Sequence, residues 1–213
     1  MKIKLLVAAA ATVVASSAMA QSAFEGFYGQ LGVGSESVAP SFSGGTVTSG
    51  SLKIPYSISS SNANSFTGNV GLGYTFLLAP KFTLGLGAEY SPIEGSSQNY
   101  TLSLPSVRYS QTSSYKKTNS YNIFLAPGYV IDKDKLAYVK VGYTGASIKA
   151  DDTTNYTGYS LGLGYKQIIS ASWYGFAEVN YASYGNQNVS GTGITGTSNF
   201  NSTNALVGVG YKF

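Results

Sequence analysis

The sequence contains no cysteine and no histidine. The first absence leaves no disulfide framework and no thiolate nucleophile or ligand. The second removes Ser-His-Asp triads, imidazole proton relays and the commonest transition-metal ligand together. Charge is scarce too: Asp, Glu, Lys and Arg make up 10% of the 213 residues, where soluble domains carry roughly 25%. An ordinary water-facing surface cannot be built from so few charges. Long apolar runs are also missing: beyond residue 20 nothing approaches the roughly 18 consecutive residues of a helical membrane span. The chain has too little charge for a soluble surface and too little continuous apolarity to cross a bilayer as helices.

The opening twenty residues, MKIKLLVAAAATVVASSAMA, stand apart from the rest. Lys2 and Lys4 precede an apolar run to Ala15, and Ala18-Met19-Ala20 has the A-x-A form of a processing site. This predicts a cleavable signal peptide over 1–20 and a single mature domain over 21–213. Without Lys2 and Lys4 the basic residues fall from 13 to 11 against 9 acidic ones, so the net charge drops from +4 to +2. No clustered basic stripe remains, which argues against nucleic-acid binding.

What the mature chain has in abundance is glycine, tyrosine and alternation. In Val70 to Phe76, Val70, Leu72, Tyr74 and Phe76 share one parity, and Gly71, Gly73 and Thr75 the other. Period two with unlike faces is the mark of a strand. The pattern recurs in runs at about 24–34, 65–78, 81–91, 119–131, 135–149, 156–168, 173–184 and 201–213. Short connections follow the second, fourth and sixth runs. The other four, near 35–64, 92–118, 150–155 and 185–200, are longer and rich in Ser, Gly, Asn, Thr and Tyr. An even number of antiparallel strands, with short turns at one end and long loops at the other, is the layout of an all-β, up-and-down transmembrane β-barrel. In hydrocarbon an open sheet edge leaves backbone groups unsatisfied, so the first and last strands must pair and the barrel must close. A secreted barrel with the same apolar faces turned inward, of the lipocalin kind, is the soluble alternative.

Parity assigns the faces. Ala205, Val207, Val209, Tyr211 and Phe213 face lipid, and Asn204, Gly208, Gly210 and Lys212 face the lumen. Outward aromatics gather at the strand ends, with Phe76, Phe82, Tyr129, Tyr165, Trp173, Tyr211 and Phe213 at the turn end and Tyr90, Tyr121, Tyr143, Tyr159 and Tyr181 at the loop end. Two such girdles suit the two interfaces of a bilayer. With this layout, and with the terminal strand ALVGVGYKF, the chain resembles the small eight-stranded outer-membrane barrels of the OmpA and OmpX type, the opacity-like porin family. The resemblance implies location in the bacterial outer membrane, a monomer, contact with outer-membrane lipids and lipopolysaccharide, and recognition of Gly208, Tyr211 and Phe213 by the outer-membrane assembly machinery.

Candidate sites are few. The inward parity collects Glu89, Lys140, Lys166, Glu178 and Lys212 with Tyr28, Tyr138 and Tyr174, and a barrel of this size should pair such charges, with Glu178 bridging Lys140 and Lys166. Loop cations Arg108, Lys116 and Lys117 are candidates for lipopolysaccharide phosphates. Tyr among small polar loop residues suits contact with a host surface. Glu94 and Asp151-Asp152 are the imaginable catalytic bases, but without histidine they make a poor case for an enzyme. Asp151-Asp152 also lacks the ligand spacing of a calcium loop. No catalytic residue, metal site or cofactor is expected. The reading is a structural or surface-interaction barrel, with a narrow porin for small solutes as the alternative. The repeated GLGY, at Gly71 and Gly162, has no helix after it and so is no dinucleotide loop. Its glycines fall on the lumen parity, where they make room for inward rings and charges.

Overall fold

The computed structural model describes residues 23–42, 45–49, 52–150, 153–191 and 194–213. The predicted signal peptide and Asp151-Asp152 lie outside them. The strands are β1 (Gly26–Phe42), β2 (Gly45–Ser49), β3 (Leu52–Ser60), β4 (Ala63–Ala79), β5 (Phe82–Ser91), β6 (Gln98–Leu104), β7 (Tyr109–Asp132), β8 (Lys135–Lys149), β9 (Thr153–Ile168), β10 (Trp173–Gly191) and β11 (Ile194–Lys212). Among the described residues the one helical element is a 3-10 turn at Pro105–Val107.

Eight strands close a ring. Antiparallel pairing runs β1, β4, β5, β7, β8, β9, β10, β11 and back to β1. Closure gives every barrel strand a partner on both sides, which hydrocarbon demands. The turns at one end are tight, residues 80–81, 133–134 and 169–172. Small hydrogen bonds fix them: Asp132 Oδ1 accepts from the Lys133 amide at 2.8 Å, and the Trp173 carbonyl accepts from the Ile169 amide at 2.8 Å.

At the other end the regions read as long loops prove to be largely sheet. β1 continues to Phe42, β7 begins at Tyr109, and β10 and β11 run beyond residues 184 and 201. β2 pairs with β11, β3 with β2, β6 with β3, and the first part of β7 with β6. An upper sheet, continuous with the barrel wall through β7 and β11, therefore rises from the barrel mouth. Leaving the membrane does not remove the need to pair backbone N–H and C=O groups, and more strand is the economical way to pair them.

One irregularity changes which side chains face in. The β7–β8 register shifts between Thr118 and Ser120, and Asn119 takes a left-handed backbone with φ 41°. Asn tolerates that region better than most residues. Above the bulge Tyr115 and Lys117 are buried in the interior, and below it Phe124 and Ala126 are.

The outer wall between the girdles is aliphatic, with Leu72, Leu125, Leu163 and Val207 exposed. Every aromatic assigned to a girdle from its parity is exposed, and several pair across strands, as Trp173 does with Tyr211 at 5.1 Å between centroids. Above the upper girdle the outward residues turn polar, as in Thr153, Asn155 and Thr157 of β9.

Candidate functional site

The inward face is crowded, and glycine is what makes the crowding possible. Tyr138 lies opposite Gly164 and Tyr174 opposite Gly210. A Cβ at Gly164 would stand 2.2 Å from the Tyr138 ring, and one at Gly210 2.1 Å from the Tyr174 ring. Each ring lies flat over a cross-strand glycine, so the second glycine of GLGY is a space for Tyr138. The charged residues use the same device, Lys140 lying opposite Gly162 and Glu178 opposite Gly164.

Around these rings the buried charges form one cluster. Lys140 is 2% exposed. Its Nζ donates to Glu89 Oε1 at 2.8 Å and Oε2 at 2.9 Å, and to Glu178 Oε2 at 2.7 Å. The carboxylates have further donors: Tyr138 hydroxyl to Glu178 at 2.5 Å, Asn180 Nδ2 to Glu178 at 3.3 Å, and Gln30 Nε2 to Glu89 at 3.3 Å. Gln30 is held in turn by the Tyr174 hydroxyl at 3.1 Å.

The bridge expected from Glu178 to Lys166 is replaced by a different arrangement. Lys140 is the bridging residue, between Glu178 and Glu89. Lys166 has no ion pair among the described residues. Its Nζ sits 3.9 Å from the Tyr28 ring centroid, 4.8 Å from that of Tyr174 and 5.4 Å from that of Tyr138. The register explains this, because Lys166 pairs with Leu136 and Phe176, a step nearer the turns than Glu178. There only ring faces are in reach, and they attract a desolvated cation by about 2 kcal/mol or more. Two carboxylates and two ammonium groups leave the cluster formally neutral. Lys212 stands apart at the turn end, half-buried beside Phe24 and Tyr28.

The interior opens stepwise towards the mouth. Around and below the cluster lie two small spaces of about 10 Å³ each, one beside Lys166 and Glu178, the other beside Phe24 and Lys212. A space of that size holds about one water. Above the cluster a polar cavity of about 60 Å³ lies between Glu89 and Asn180 on one side and Glu36 and Lys117 on the other. Glu36 and Lys117 form a buried ion pair, and Ser202 Oγ donates to Glu36 at 2.5 Å. Above these the space widens to about 340 Å³ between the end of the barrel and the upper sheet, with Phe42, Tyr56, Ile58, Tyr100, Leu102 and Tyr115 in its wall.

The three loop cations do not share a site. Lys117 is 8% exposed and turned inward onto Glu36, because the Asn119 bulge reverses the parity. Lys116 pairs with Glu94 in the connection after β5. That hydrogen bond holds the Glu94 carboxyl below the usual carboxylate range. Arg108 is exposed at the β6–β7 tip, in a left-handed conformation with φ 50°. Of the terminal-strand residues, Gly208 faces in, where a Cβ would meet the Phe176 ring at 2.5 Å. Tyr211 and Phe213 face out, with centroids 5.2 Å apart.

Glu36 and Gln30 were not among the residues singled out from the sequence. Glu36 falls beyond residue 34, the end of the first alternating run. The signal was present nonetheless, since Glu36, Val38, Pro40 and Phe42 keep the lumen parity of Tyr28 and Gln30.

The family model described as outer membrane protein beta-barrel domain matches residues 6–213, nearly the whole chain. The chain belongs to that family. Its place is accordingly the bacterial outer membrane. Among solved structures, the outer membrane protein OprG from Pseudomonas aeruginosa superposes with a TM-score of 0.57 at 12% identity, over 89% of this chain and 97% of that one. Neisserial surface protein A superposes with a TM-score of 0.51 at 15% identity, over 88% and 97%. At such identities the likeness extends to the fold alone. No curated protein sequence matches this chain.

Proposed function

We propose that this outer-membrane barrel is a structural and surface-interaction protein without catalysis, and that its lumen does not conduct. The observation that carries the reading is the sealed interior at membrane depth. Lys140 joins Glu89 and Glu178, Lys166 is packed among three tyrosines, and the adjoining spaces are about 10 Å³. A solute path would have to break a neutral, hydrogen-bonded cluster, and removing one partner of a buried pair costs about 3–5 kcal/mol. Against catalysis stand the absence of histidine and cysteine and the occupation of the buried carboxylates by Lys140.

The surface role falls to the parts above the upper girdle. Lys116 and Lys149, paired across β7 and β8, and the exposed Arg108 supply donors for lipopolysaccharide phosphates. Tyr109, exposed next to Arg108 in the chain, suits contact with a host surface. The leader over 1–20 would export the chain, and Gly208, Tyr211 and Phe213 would mark β11 for the assembly machinery. The closed ring leaves no barrel edge for a partner strand, which supports a monomer. Planar-bilayer recording on the purified, folded protein tests the main point. The expected trace shows no steady open level, and a large, stable conductance from the monomer would establish the narrow porin instead.

A further inference from the structure

The space of about 340 Å³ at the barrel mouth is not required by a structural barrel, and its walls differ from the rest of the interior. Among the described residues no charged side chain lines it. The wall rings are loosely spaced, Phe42 to Tyr100 at 6.1 Å and Tyr100 to Tyr115 at 6.4 Å between centroids. The floor is packed: Tyr184 stacks on Phe200 at 4.1 Å, and Tyr156 meets Phe200 edge-on at 5.0 Å. Beneath the floor the Glu36 and Lys117 pair closes the way down. The space is thus a blind cup.

Two of the wall hydroxyls are engaged with the protein. The Tyr115 hydroxyl donates to the Ser61 carbonyl at 3.1 Å, and the Tyr156 hydroxyl is 2.9 Å from Ser198 Oγ. What faces the cup is mostly ring faces and aliphatic groups. Ligand pockets span about 300–1,000 Å³, and an apolar cavity of about 150 Å³ takes up benzene. This cup is a little over twice that size. A charged guest would meet no countercharge among the described lining residues and lose its hydration, whereas a flat apolar one replaces water against rings spaced for edge and offset contacts.

We infer that the cup is a binding site for a neutral aromatic molecule of one to two fused rings, held at the outer face and not passed through the barrel. Naphthalene is a suitable probe, titrated into the folded protein in lipid nanodiscs with isotope-labelled isoleucine methyl groups. Ile58 and Ile148 line the cup, while Ile123 and Ile131 face lipid and report simple partition into the bilayer. The expected result is a saturating shift at Ile58 and Ile148 and only a linear drift at Ile123 and Ile131. Ile58→Trp, which puts an indole into the cup where the guest would lie, should abolish the saturating shift at Ile148. Ala150→Trp provides a second filled variant, read at both methyls. Unchanged lipid-facing methyl signals certify that a variant is folded. Naphthalene-2-sulfonate should bind about a hundredfold more weakly, because its charge would be buried unpaired. Linear drift at all four methyls, saturation surviving in a folded filled variant, or equal binding of the sulfonate would each overturn the inference.

Discussion

Two stretches of one continuous wall carry opposite polarity. Between the girdles the outside is Leu72, Leu163 and Val207, and the inside is Glu89, Lys140 and Glu178. Above the upper girdle the outside is Thr153, Asn155 and Thr157, and the inside is Val38, Tyr156 and Phe200. The lower part is built for lipid without and polar packing within, and the upper part is built like a soluble barrel. β1 passes through the change without altering parity, since its even residues face in from Tyr28 through Gln30 and Glu36 to Val38. β7 passes through it with the reversal at Asn119. Period two thus tells which residues share a face, while the solvent at each height decides what that face must be made of.

The largest test of this contrast acts on the lower interior. Lys140→Met leaves Glu89 and Glu178 buried without their shared cation and should cost about 3–5 kcal/mol. Denaturant unfolding of the reconstituted barrel measures it. Replacing all four together, Glu89→Gln, Lys140→Met, Lys166→Met and Glu178→Gln, should recover much of the loss, because a neutral core of similar volume leaves no unpaired charge. A single variant as stable as the parent would mean that the cluster is solvated, and the two-part description of the interior would fail.

The next test acts on the outer face of one strand at two heights. Leu163, 65% exposed, lies between the girdle residues Tyr159 and Tyr165. Leu163→Arg should destabilise by about 2–4 kcal/mol if it faces the middle of the bilayer. Thr157→Arg, on the same parity but above Tyr159, should stay within about 0.5 kcal/mol of the parent. Equal effects at the two positions would move the membrane boundary on β9.

The barrel and both girdles were legible in the sequence because hydrocarbon imposes a strict alternation, and residues such as Leu72, Leu163 and Trp173 show it without help from their neighbours. The partners inside the lumen were less so. Glu89, Lys140, Lys166 and Glu178 could be placed on the inner face, but which of them touch depends on stagger between strands. A two-residue offset separates Glu178, within reach of Lys140, from Lys166, within reach only of rings. The upper sheet was hidden for another reason. Ser, Thr and Tyr in strands outside the membrane resemble loop composition, and β3 and β6 find each other far along the chain. Lys117 shows the remaining limit: one extra residue at Asn119 exchanges inside for outside, and nothing in KKTNS announces it.

The smallest effect lies at the rim, where Lys116 pairs with Glu94 in solvent. The Glu94 carboxyl is lowered from its ordinary value chiefly by the hydrogen bond from Lys116, with slight burial opposing and the charges of Lys116 and Lys149 assisting. A depressed folded-state pKa means that the pair contributes above the carboxyl's unfolded value and is lost as pH falls through the folded one. Acidification below the usual carboxylate range should therefore free the connection after β5. Side-chain carboxyl shifts of Glu94 followed by NMR should titrate below the ordinary range in the parent and move up in Lys116→Ala. Exposed pairs of this kind are weak and screened by salt, so added salt should narrow the difference. An unchanged Glu94 titration in Lys116→Ala would show that Lys149 alone sets it, and the cross-strand pair of lysines, not the single contact, would then be the feature that organises the rim.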